Sequence, residues 1–148
     1  MTVHDMPHQQ RLHNASLNGA ISTAVVGVVR DYTGRGPTKA STTIRGSSVL
    51  VMLENTLTKG EQSLVGNGRE AKVLDLRFEY QAAMRAALST AVEQLTGRTV
   101  IAFMSANHID PDLAAEVFVL DAAPARQIDK ESGGINDQPS ADWFLRRR

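Results

Sequence analysis

Thr33-Gly34-Arg35-Gly36-Pro37-Thr38-Lys39, T-G-R-G-P-T-K in one-letter form, is where helical periodicity stops and β-branched sequence starts. Gly34 stands where a helix ends on a left-handed residue. Pro37 cannot continue a helix and biases Gly36 toward extended backbone. Upstream, Leu17, Ile21, Ala24, Val25, Val28 and Tyr32 recur at spacings of three and four, which predicts an amphipathic helix over residues 12–32. Downstream, Lys39 to Arg45 is rich in β-formers, Gly46-Ser47 supplies a turn, and Ser48 to Glu54 is strongly apolar. That is a β-hairpin whose first strand is half-exposed and whose second is central.

The same grammar repeats further on. Thr58-Lys59-Gly60-Glu61 has capping-box spacing and opens a short helix to about Val65, although Gly60 is a poor helix former. Gly66-Asn67-Gly68 breaks the chain before a long helix over 69–96, with an expected buried stripe of Val73, Leu76, Tyr80, Met84, Leu88, Ala91 and Leu95. Gly97 stops it as Gly34 stopped the first. Thr99–Ser105 and Ala115–Leu120 then form a second hairpin around the turn-forming run Asn107–Asp112. Two helix-hairpin units follow one another. They represent either a degenerate α-β-β duplication or two helices sharing a common stop signal.

The expected fold is therefore α+β: a four-stranded antiparallel sheet built from two hairpins, with the two main helices packed on one face. Residues 12–122 form the domain. Residues 1–11 are polar around Pro7 and read as a flexible lead-in, and 123–148 turn Gly/Ser/Asp-rich and read as a disordered tail.

Sixteen basic and sixteen acidic residues cancel, so the chain lacks the basic footprint that nucleic-acid binding requires. With no cysteine there is no disulfide, Cys-metal site or thiol chemistry, a composition that suits a reducing cytoplasm. The first ten residues lack a signal peptide's basic end and apolar run, and no apolar stretch has membrane-spanning length.

Four constellations carry possible chemistry. Arg35, Thr38 and Lys39 in the T-G-R-G-P-T-K loop suit a small anion or an acidic segment of a partner, against the plainer reading that Arg35 simply complements the negative end of the preceding helix. Because the loop follows a helix and precedes a strand, it is not a nucleotide-binding P-loop. Arg77 and Arg85, with Gln81 between them, either line an anion pocket or pair with Glu61, Asp75 or Glu79. Asn107, His108, Asp110 and Asp112 could ligate a metal or act as acid and base, but they are also what a turn needs. His4 and His8 have helical metal-ligand spacing with Pro7 between them. No serine-histidine-acid set, metalloprotease signature or dinucleotide fingerprint is present. No cofactor is expected. At the C-terminus, Trp143-Phe144-Leu145 adjoins Arg146-Arg147-Arg148, an aromatic-basic end able to dock on a partner or an acidic membrane surface.

Three blocks in order, T-G-R-G-P-T-K from Thr33, L-E-N-T-L-T-K-G-E from Leu53 and F-M-S-A-N-H-I-D-P-D-L-A-A-E-V-F-V-L from Phe103, resemble the MpsC-type family of small bacterial proteins. The resemblance spans about Asn14 to Leu120 and transfers no catalytic residue. It implies a cytoplasmic accessory protein tied to a membrane transport system for sodium or inorganic carbon. The resulting expectation is a non-enzymatic module that binds a partner of that system and a small anion, with a small enzyme using the His108 turn as the alternative. A homodimer is expected through the Lys39–Arg45 edge.

Overall fold

The computed structural model describes residues 8–125, with side chains from Ser16 onward. His4, the Trp143–Arg148 end and the tail from 126 lie outside the described residues. Helix α1 (His8–Thr33) starts four residues before the expected boundary, so residues 8–11 are helical. It is followed by β1 (Lys39–Arg45), β2 (Ser48–Glu54), α2 (Lys59–Gly66), α3 (Glu70–Thr96), β3 (Val100–His108) and β4 (Leu113–Leu120). The second hairpin is longer and its turn shorter than the sequence pattern suggests. The order β1-β2-β4-β3 makes one antiparallel sheet. Helices α1 and α3 lie against each other on one face, α1 over β1 and α3 over β3.

Side-chain parity explains that face. Alternate residues of a strand point the same way, and Val49, Val51 and Leu53 of β2 meet Ala114, Phe118 and Leu120 of β4 in the core. From the helices, Leu17, Ile21, Val25 and Val29 of α1 and Met84, Leu88 and Val92 of α3 complete it. Two details differ from the expected stripes. Tyr32 is 44% exposed while Val29 is buried, and on α3 the sheet-facing line runs Val73, Arg77, Gln81, Met84, Leu88, Val92 and Thr96. Leu76 lies off that line, 38% exposed. An apolar-periodicity rule passes over Arg77 because it cannot see the Glu61 carboxylate and Thr56 carbonyl that receive it.

The two halves share their corners in atomic detail. Thr33 Oγ1 donates to Val29 O at 2.8 Å and accepts from Arg35 N at 3.3 Å; Thr96 Oγ1 donates to Val92 O at 2.8 Å and accepts from Arg98 N at 3.3 Å. Arg35 Nε donates to Asn55 O, just past β2, at 3.3 Å, and Arg98 Nε to Ala123 O, just past β4, at 2.6 Å. The strand order also reads the same from either end when the halves are exchanged. The architecture is thus two copies of one helix-hairpin unit around a pseudo-two-fold between β2 and β4. Packing continues past β4, where Ala123 O receives the Arg98 clamp and Pro124 is buried.

Gly34 and Gly97 both have positive φ, 79° and 67°, as helix-ending residues. A Cβ at 34 meets open space, whereas one at 97 comes within 3.3 Å of the Ala125 Cβ. Gly34→Ala should therefore cost only the left-handed penalty of about 1 kcal/mol. Gly97→Ala should cost measurably more, as urea unfolding of the two variants would register.

Candidate functional site

The Gly34–Lys39 loop and the segment after β2 are held together at one end of the sheet. Thr38 N donates to Glu54 O at 3.1 Å, Asn55 Nδ2 to Thr38 Oγ1 at 2.6 Å, and Arg35 Nε to Asn55 O. Asn55 adopts φ 57°, a left-handed geometry that asparagine tolerates. Lys39 Nζ lies 3.5 Å from Glu54 Oε2, the lysine largely in solvent and the glutamate partly so. Arg35, Thr38 and Lys39 are thus brought together, as the loop's sequence suggests. They already serve as a clamp between α1 and β2.

Arg77 and Arg85 are elsewhere, and apart. Arg77 is buried, donates to both carboxylate oxygens of Glu61 at 2.6 Å and also to Thr56 O. The ion-pair reading with Glu61 holds for it, and its guanidinium does not face an outside anion. Arg85 lies over the Phe103 ring, 5.6 Å from its centroid, and donates to Phe103 O at 3.2 Å. It covers part of the β3 edge, whose carbonyls would otherwise invite pairing.

Around Arg77 a polar hub joins α2, α3 and both hairpins. The expected capping box is present: Thr58 N donates to Glu61 Oε1 at 2.9 Å and Glu61 N to Thr58 Oγ1 at 3.2 Å. Asp112, at the start of β4's hairpin arm, accepts from Thr56 N and Thr56 Oγ1 with Oδ1, at 3.1 and 2.9 Å, and from Leu57 N with Oδ2 at 3.0 Å. Both its oxygens are thereby committed to backbone positioning. His108 is exposed and bonded through Nδ1 to Pro111 O at 2.8 Å. Among the described residues, no group of three His, Cys, Asp or Glu side chains could hold a metal ion.

Glu116 was not singled out from sequence, although β4's parity places it in line with Phe118 and Leu120. It is 2% exposed, opposite Ser105 in the β3–β4 ladder. Its Oε2 and the Ser105 Oγ have no hydrogen-bond partner within the protein. Burial pushes its carboxyl up to about 7, a rise that the neighbouring Ser105 hydroxyl and the Arg77 charge only partly offset. The Ser105 hydroxyl faces the carboxyl but falls short of a hydrogen bond, so its influence is that of a nearby dipole.

A family profile described as "Na+-translocating membrane potential-generating system (MpsC)" matches residues 13–122. Neither a curated protein nor a solved structure matches the chain. The profile covers well over half of the sequence, all four strands and both long helices, and the chain belongs to the MpsC family.

Proposed function

We propose that this MpsC-family chain is a non-enzymatic accessory module of a Na+-translocating membrane system, working in the cytoplasm and reaching the membrane through a protein partner. The family match carries the reading. Among the described residues no helix is long and apolar enough to cross a membrane, so a link to a membrane system runs naturally through another protein. The surface offered to that partner is the Gly34–Lys39 loop. It receives an acidic segment, or a small anion of the same carboxylate chemistry, at Arg35, Thr38 and Lys39. Support comes from the concentration of donors: Lys39 is 73% exposed in its side chain, and its Glu54 partner at 3.5 Å is an exposed pair that an incoming carboxylate can displace at little cost.

Arg35→Ala/Lys39→Ala is the test. Binding of a glutamate-rich peptide, followed by titration calorimetry, should weaken at least about tenfold and should weaken likewise in the unmodified protein as salt rises. The melting temperature should fall by only a few degrees, because the Arg35–Asn55 contact is a single exposed hydrogen bond worth about 1 kcal/mol. Unfolding of the double variant, or unchanged peptide binding, would reduce the loop to a structural clamp.

A further inference from the structure

The sheet face away from the helices is apolar where a solvent-facing sheet should be polar. Antiparallel sheets with one wet face alternate hydrophobic-in with polar-out. Here only β1 obeys, presenting Lys39, Ser41, Thr43 and Arg45 outward. The next strand, β2, presents Leu50 and Met52 between Ser48 and Glu54. On β4 the outward positions are Leu113, Ala115, Val117 and Val119, and on β3 they are Ala102, Met104 and Ala106, ending in His108. Leu50 and Met104 are 36% and 54% exposed. Leu50 on β2 and Met104 on β3 flank the half-buried Leu113, Val117 and Val119 of β4 between them, a contiguous apolar patch of the kind that marks an interaction surface.

We infer that this open face is the interface with a second copy of the same chain, stacked sheet on sheet. The register selects the arrangement. Reading across β1, β2, β4 and β3, the outward rows are Lys39-Glu54-Leu113-His108, Ser41-Met52-Ala115-Ala106, Thr43-Leu50-Val117-Met104 and Arg45-Ser48-Val119-Ala102. A two-fold axis lying between the sheets and across the strands keeps each strand over its own counterpart and exchanges the two middle rows. Met52 then meets Leu50 of the second copy, Ala115 meets Val117, and Ala106 meets Met104, so that on β4 and β3 a small residue faces a large one and the layers interdigitate. The polar β1 columns fall together on the solvated rim, where Lys39 comes over Arg45 of the second copy and Glu54, one strand in, lies beside both cations. The other face-to-face two-fold, along the strands, would lay Lys39 and Arg45 over the apolar β3 column and is disfavoured by desolvation of the charges.

Size is sufficient though modest. Four strands about 4.8 Å apart and seven residues long give a footprint of roughly 450 Å² per copy in projection. With side-chain relief a pair buries about 1,000 Å², the lower bound for a specific association.

Light scattering and sedimentation of the full chain between 1 and 200 μM test this. The unmodified protein should pass from monomer to dimer. Met104→Glu, on β3, should raise the dissociation constant at least 30-fold while leaving circular dichroism, and the melting temperature at the dilute monomeric end of the range, unchanged. Leu50→Lys, on β2, provides an independent second variant should the first fail to fold. A monomer at 200 μM would overturn the inference. So would a dimer that survives both substitutions, since pairing through the β1 edge needs neither residue.

Discussion

Replacing Arg77 with methionine should lower the unfolding free energy by about 3–5 kcal/mol at neutral pH, the usual cost of removing one partner from a buried ion pair. The cause is what remains behind. Glu61 is as buried as Arg77, and both its oxygens lie 2.6 Å from the guanidinium. Without Arg77 a carboxylate is stranded in the interior and Thr56 O loses its donor. Glu61→Gln should be the compensating change. Glutamine can still serve the capping box at Thr58, and it carries no charge to strand. The double variant should therefore recover at least half of the loss, because neutral groups in place of a buried pair are often tolerated. Urea denaturation of the two single variants and the double completes the cycle. Strict additivity would mean that the two side chains contribute through separate contacts.

Legibility in the sequence followed locality. Both helix stops, Gly34 and Gly97, the Gly46-Ser47 turn and the Thr58–Glu61 capping box depend on a few adjacent residues, and each is where its motif puts it. The two-hairpin sheet with α1 and α3 on one face followed from two apolar stripes needing one surface. The α3 stripe was misplaced at Leu76 because Arg77's burial is decided by Glu61 and Thr56, sixteen and twenty-one residues away. Asp112 looked like turn chemistry or a metal ligand. Its partners Thr56 and Leu57 lie half the domain earlier, which spacing alone cannot reveal. Arg35, Thr38 and Lys39 cluster because the motif holds them in one loop, while Arg77 and Arg85 separate because eight residues of helix place one inward and the other over β3. The open apolar face was readable only once strand order fixed which residues stand side by side.

Stability should fall as pH rises from about 4.5 through about 7, by roughly 3 kcal/mol, through Glu116 alone. The folded chain holds this proton more tightly than the unfolded chain, whose carboxyl titrates near 4.5. Unfolding between those values releases a proton, so a higher pH favours the unfolded state. Below about 4.5 both states are protonated and the contribution is complete; above about 7 the fold must carry a buried carboxylate and the contribution is gone. Among the described residues Arg77 is the cation acting on the group, and its guanidinium is already taken by Glu61, which is why desolvation prevails. Glu116→Gln keeps the shape and removes the ionisation. Its unfolding free energy relative to the parent protein should rise by about 2.5 kcal/mol between pH 5 and pH 8, measured by urea denaturation at matched salt. Parallel pH profiles for the two proteins would mean that Glu116 is ionised in the fold throughout, held by Arg77 despite its burial.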